Sequence, residues 1–284
     1  MSVNKSLDEL RDKIDSIDQS LHDLIMQRAD LVAEVKEAKE GTGGPIFRPA
    51  REAEVLRKLV GRHRGELPIG VIARIWRELI SASLILQGEF KIAVTGNDDG
   101  AYWDIVRDHF GSQTPIIRYE TSRGVLRAVA EAAATVGVLP IPQIDESDPW
   151  WPLLGSQGSE SLLRICARLP FVSGGNRRGR GVEALLVAEI SPVKSDDDIS
   201  YVIIEIVEPV SRSRLTSTLT DEGLKPSALV PLLNDKTANE VFLIEVHGFV
   251  EFDDPRLNNI VEKGIGFTVA QSVGSYAVPL KSGK

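Results

Sequence analysis

The chain has 284 residues, 42% of them hydrophobic, enough for two or three domains each with a core of its own. No apolar run approaches the roughly 18 residues of a membrane span, and the net charge of -8 argues against a nucleic-acid binder held by bulk attraction to phosphate. The one cysteine, Cys166, excludes an internal disulfide framework and fits a reducing cytoplasm, where the protein is expected to act.

The start, "MSVNKSLDELRDKID", reads as a charged helix and not as a leader. Apolar residues at Leu7, Leu10, Ile14, Ile17, Leu21, Leu24, Leu31, Val35 and Ala38 form an a/d seam over more than four heptads. Ser6 is the expected N-cap, and Glu9 completes a capping box. Position 28 of the seam should be apolar and is Arg28. A helix of about 33 residues is roughly 50 Å long, whereas a compact domain of about ninety residues is only about 30 Å across. The excess length needs cover, and a second copy of the same helix supplies it, so the segment predicts an intertwined homodimer.

In "KEGTGGPIFRPARE", residues 39–52, Gly41, Gly43, Gly44 and Pro45 stop the first helix. A second helix begins near Pro49 and runs through Val55, Leu56, Leu59 and Val60. A third starts near Pro68 and buries Ile69, Ile72, Ile75, Trp76, Leu79 and Ile80. Ser83 and Gln87 take the next two inward positions, one turn apart.

Three polar residues therefore stand where the pattern calls for hydrocarbon. Each alone reads equally well as a snorkelling arginine or a wet helix end; together they point to a polar cavity in a helical bundle, because a buried guanidinium without an anion is costly. Arg28 and Lys39 lie on one face about 16 Å apart, so their side chains can converge on one ligand. Arg11 is about 25 Å upstream of Arg28 and can join them only from the other chain of an antiparallel dimer. Residues 1–90 hold 14 Lys/Arg against 15 Asp/Glu, so an anion site there depends on individually placed cations. His22 and His63 read as surface residues.

The stretches "LRDKIDSIDQSLHDLIMQRADLVAEVKEAK", "RPARE" and "LISASLILQ" resemble the all-helical chorismate mutases, the type also fused to prephenate dehydratase. The resemblance implies an intertwined dimer that rearranges chorismate to prephenate in phenylalanine and tyrosine biosynthesis, with no cofactor, no metal and no covalent intermediate. By position it implies that Arg28 clamps a carboxylate, joined by Arg11 of the other chain. It gives Lys39 a carboxylate and the ether oxygen of the breaking bond, Gln87 that same oxygen, and Glu52 the ring hydroxyl, with Arg51 and Ser83 completing the wall. Position 48, often acidic in that family, is Arg48 here.

These residue types suit the chemistry. Fixed arginines grip carboxylates in planar, bidentate geometry, and an intramolecular rearrangement needs the flexible side chain held over the ring. Donors aimed at the ether oxygen bind the transition state better than the ground state, each worth about 3 kcal/mol. Glutamine donates at any ordinary pH, so Gln87 predicts activity that stays nearly flat from mildly acidic to mildly alkaline conditions.

Residues 91–196 read as a β-α-β-α-β lobe: "FKIAVTGNDDGAYWDIVRDHFG", "IIRYE", a helix from about Ser122, and "TVGVLPIP". The lobe resembles the first half of a prephenate dehydratase domain, truncated. Pro142 replaces the acid of that family's "VPIEN"-like turn, and its Thr-Arg-Phe signature is absent, which argues against dehydratase activity. "SDPWWPLLGSQ" is a connector whose Trp150 and Trp151 anchor against a neighbouring domain, and "GGNRRGRG" (174–181) reads as a solvated loop.

Residues 197–284 read as β-α-β-β-α-β, the ferredoxin-like plan, and resemble an ACT domain. Where that family's phenylalanine-sensing motifs would stand, this chain has "SRSRL" and "ALVPLL", so dimerisation is favoured over effector binding. The fold expected is thus multi-domain α plus α/β: helices at 1–90, a lobe at 91–196 and a ferredoxin-like unit at 197–284. The activity expected is that of a chorismate mutase acting on chorismate, with neither nucleic acid nor membrane as partner. The alternatives are a bifunctional mutase–dehydratase and a non-catalytic regulatory protein of the aromatic pathway.

Overall fold

The computed structural model describes residues 6–40, 43–96, 100–144, 146–155, 162–172, 181–232 and 239–280. Three helices come first: α1 (Leu7–Glu40), α2 (Pro49–Arg62) and α3 (Ile69–Gln87). The capping box forms in both directions, Ser6 N–H donating to Glu9 Oε2 at 3.1 Å and Glu9 N–H to Ser6 Oγ at 3.2 Å. α1 runs 34 residues, about 51 Å, and packs chiefly on α3. Every residue from Leu7 to Gln27 is exposed, the seam residues included; Ile14 is 56% and Leu24 60% exposed. α3 is also incompletely covered: Ile75, expected to be buried, is 44% exposed.

α2 and α3 are fastened to the rest of the molecule. Ala53 and Leu56 of α2 pack with Phe171 and Ala277, and the Arg57 guanidinium donates to the carbonyls of Ser195, Asp197 (2.7 Å) and Val278 (3.3 Å). On α3, Arg74 pairs with Asp108 at 2.8 Å, and Glu78 accepts from the Ser112 N–H at 3.1 Å.

The remaining strands form one nine-stranded sheet in the order β2-β1-β3-β5-β4-β9-β6-β8-β7. β1 (Ile92–Thr95), β2 (Ile116–Tyr119) and β3 (Val136–Pro140) are parallel and linked by α4 (Ala101–Phe110) and α5 (Ser122–Ala130), as the sequence predicts. β4 (Leu163–Leu169) and β5 (Ala184–Glu189) add an antiparallel pair that the periodicity reading did not assign. β6 (Asp198–Ile206), α6 (Arg212–Asp221), β7 (Lys225–Pro231), β8 (Glu240–His247), α7 (Pro255–Lys263) and β9 (Phe267–Ala277) take the ferredoxin-like order β9-β6-β8-β7.

The two α/β segments are not separate bodies: β4 and β9 meet in parallel at the pair Ile165–Gly274. Gly274 has φ +142°, and a Cβ there would lie 2.1 Å from the Ile165 carbonyl oxygen, so only glycine permits this approach. Trp150 and Trp151, both fully buried, share one core with Leu139 and Leu185 on one side and Tyr201, Leu243 and Tyr276 on the other. The tryptophans do anchor neighbouring segments, as expected. Trp150 Nε1 donates to the Pro140 carbonyl at 3.1 Å. The arginine–glycine stretch (174–180), the turn residues 97–99 and Gly41 lie outside the described residues.

Candidate active site

Two of the three seam interruptions meet directly. Arg28 Nη1 donates to Ser83 Oγ at 2.7 Å and to the Leu79 carbonyl at 3.3 Å; the Ser83 hydroxyl in turn donates to Leu79 O at 2.7 Å. Further along, Lys39 Nζ donates to Gln87 Oε1 at 2.9 Å and to the Pro45 carbonyl at 3.1 Å. Arg28 and Lys39 are eleven residues apart on α1, about 16 Å, while Ser83 and Gln87 are four apart on α3, about 6 Å. Both long side chains therefore lean toward a common centre, and among the described residues no carboxylate pairs with either cation. The backbone acceptors Leu79 O and Pro45 O had no signature in the sequence, since any residue supplies a carbonyl.

Electrostatics agree with a site waiting for an anion. Burial holds the Arg28 pKa below its ordinary value, and burial followed by the nearby Arg48 charge does the same to Lys39. A doubly negative ligand would relieve both. Gln87 places one Nε2 hydrogen on the Ser83 carbonyl at 3.0 Å, and the second N–H of that amide remains a donor for a substrate oxygen.

The other expected residues lie elsewhere. Arg11 is exposed near the far end of α1 and pairs with Asp8 at 3.2 Å. Arg48 sits exposed at the start of α2, within electrostatic reach of Lys39. Arg51 is exposed and bonds Glu54 at 2.6 Å; Lys58 first and Arg51 second, by their hydrogen bonds, hold the Glu54 pKa down to about 2.

Glu52 departs from its expected role in this chain. It is 8% exposed, and its Oε2 accepts from Arg77 Nη1 at 2.7 Å, with His109 Nε2 3.0 Å from the same nitrogen. The cause is packing: Ala53 and Leu56 dock on the sheet body and carry Glu52 inward on the same face. Burial raises its pKa against the opposing pull of Arg77, and burial also pushes His109 well down. The reading of α2 alone could not find Arg77 and His109, because their meeting depends on how α4 docks.

A helical segment that sets two cations of one helix on neutral acceptors of another, carried on a mixed α/β body, is the class of protein that this geometry defines. The chorismate mutase type II family matches residues 10–88. The chorismate mutase of Methanocaldococcus jannaschii is 36% identical over 89 residues, covering 30% of this chain and 88% of that protein. The chain belongs to that family through its helical segment.

The bifunctional chorismate mutase/prephenate dehydratase of Pseudomonas aeruginosa is 34% identical over 154 residues, 51% of this chain, so the similarity runs past the helices. The aligned part spans only 41% of that relative. A solved structure described as "GqqA- a novel type of quorum quenching acylases" covers 67% of this chain and 96% of its own at TM-score 0.50 and 17% identity, a likeness of fold alone.

Proposed function

We propose that the protein is a chorismate mutase that converts chorismate to prephenate by a Claisen rearrangement. The observation that carries this reading is the convergence of Arg28 on Ser83 and of Lys39 on Gln87, two cations that have no carboxylate partner among the described residues. Arg28 grips one carboxylate in planar fashion. Lys39 and the Gln87 amide stabilise charge developing on the ether oxygen. Neither a general base nor a cofactor is called for, because the bond breaks and forms within one molecule.

The active form is a homodimer in which α1 of each chain covers the other and brings Arg11 to the partner's Arg28. The exposed seam supports this. Covering its half-exposed Leu, Ile and Val side chains is worth about 1 kcal/mol each, about 8 kcal/mol per chain and twice that for two. Association costs about 4–15 kcal/mol, so the exchange of seams is favourable. The partner's α2 and α3 would also cover Ile75.

The test is an assay of purified protein with chorismate, following prephenate and phenylpyruvate separately. Prephenate alone is the expected product. Phenylpyruvate would establish the bifunctional reading, which the extended similarity to the Pseudomonas aeruginosa protein favours. Untouched chorismate would leave a non-catalytic role.

A further inference from the structure

Lys39 is placed by a loop, and the loop is held by the α/β body. Lys39 Nζ reaches the Pro45 carbonyl at 3.1 Å, and the Arg48 charge acts on it from the start of α2. Between those two groups stands Phe47, 2% exposed and part of one hydrophobic cluster with Ile92, Ile105 and Val138. The connection between α1 and α2 is thus built into the core that α4 forms with the sheet.

The hold is specific. Phe47, Phe90 and Phe110 form a triangle with ring centroids 5.8, 6.0 and 5.7 Å apart, each pair tilted by 49–53°. Phe90 follows shortly after α3, whereas Phe110 is the last residue of α4 and comes from the lobe. Phe110 is itself fixed: Thr114 Oγ1 donates to its carbonyl at 2.5 Å, and the His109 ring meets its ring edge-on at 4.7 Å. Arg107 Nη1 secures the turn beyond it by donating to the carbonyls of Ser112 at 2.8 Å and Thr114 at 2.9 Å.

The neighbouring Ile46 is seated on the end of α3. Its Cδ1 lies 2.7 Å from where a Cβ on Gly88 would stand. Gly88 directly follows Gln87, whose Oε1 accepts from Lys39 at 2.9 Å. The loop is therefore set in register with both acceptors of the ammonium.

A lysine carries a compact charge on a flexible stem, so its position depends on the acceptors that hold it. Moving a reacting contact by about 1 Å costs on the order of a hundredfold in rate. We infer that the α/β lobe is a working part of the candidate mutase site: Phe110, acting through Phe47, is a positioning residue for the Lys39 ammonium. The inference rests on the mutase reading and extends it to a residue outside the helical segment. Arg28 takes its acceptors, Ser83 and the Leu79 carbonyl, from α3 instead. Loosening the loop therefore weakens the hold on the ether oxygen and spares the carboxylate grip.

The experiment is steady-state kinetics with chorismate on the full chain, at a temperature where circular dichroism shows every variant folded. Phe110→Leu and Phe47→Leu keep the core apolar and should each lower kcat at least about tenfold, with KM held within about twofold. Val138→Ala trims the same cluster on β3, so its melting temperature should fall while kcat stays within about twofold of wild type. Added to Lys39→Ala, Phe110→Leu should lower kcat by less than about twofold further, because it acts through that lysine. An active wild type whose kcat survives Phe110→Leu would overturn the inference and leave the mutase reading standing. So would an equal loss of kcat in Val138→Ala, or a full further loss in the Lys39→Ala background. Chorismate untouched by the wild type would overturn the mutase reading and this inference with it.

Discussion

α3 carries two polar patches, and they have opposite characters. On one face, Ser83 and Gln87 meet Arg28 and Lys39 at the edge of an uncovered seam, and among the described residues the cations find only neutral acceptors. On the other, Arg77 is buried with Glu52 and His109 inside the contact with the sheet body. Both interrupt an apolar face with charge, but among the described residues only the second carries its counterion. A charge buried with its partner holds two parts of the chain together, whereas one left facing an opening keeps its affinity for a ligand.

Arg28→Ala should break this contrast most severely. Turnover of chorismate should fall at least about a hundredfold, a loss of about 3 kcal/mol of transition-state binding, while the helical circular dichroism stays unchanged. Glu52→Ala should do the reverse. It strands the Arg77 guanidinium in a buried setting and should cost about 3 kcal/mol of stability, read as a lower melting temperature. Turnover should suffer far less than in Arg28→Ala. An unchanged melting temperature with collapsed turnover would instead return Glu52 to the ring hydroxyl, the role that the family resemblance implies.

The smallest effect expected concerns pH. Lys39 must be charged to act, and its pKa is lowered by burial first and by Arg48 second. Activity is therefore full below that lowered pKa and lost as pH rises through it, earlier than for an ordinary lysine. Arg48→Gln removes the second cause, so the alkaline edge of kcat/KM should move upward while the near-neutral plateau stays flat. An edge that stays in place or moves down would exclude Arg48 as its cause.

The sequence showed most where the information is local. The capping box of Ser6 and Glu9, the length of α1 and the inward positions of Ser83 and Gln87 all follow from spacing along one helix. The β-α-β-β-α-β order of residues 197–284 was likewise readable as a succession of apolar strands and capped helices. β4 and β5 were missed although "LRICARL" and "ALLVAE" are apolar enough to be strands, because their identity rests on pairing with β3 and β9, distant in the chain. The pairing of Glu52 with Arg77 was out of reach for a related reason: the face Glu52 occupies is decided by where Ala53 and Leu56 dock.

The central claim is that one site is assembled from two chains, and co-expression of two inactive variants tests it most directly. Arg11→Ala and Arg28→Ala should each be nearly inactive alone. In mixed dimers one of the two sites regains both arginines, so a random mixture should recover about a quarter of wild-type activity, the product of pairing statistics and one intact site per mixed dimer. A mixture as inactive as its components, or an Arg11→Ala protein with full activity, would contradict the shared site.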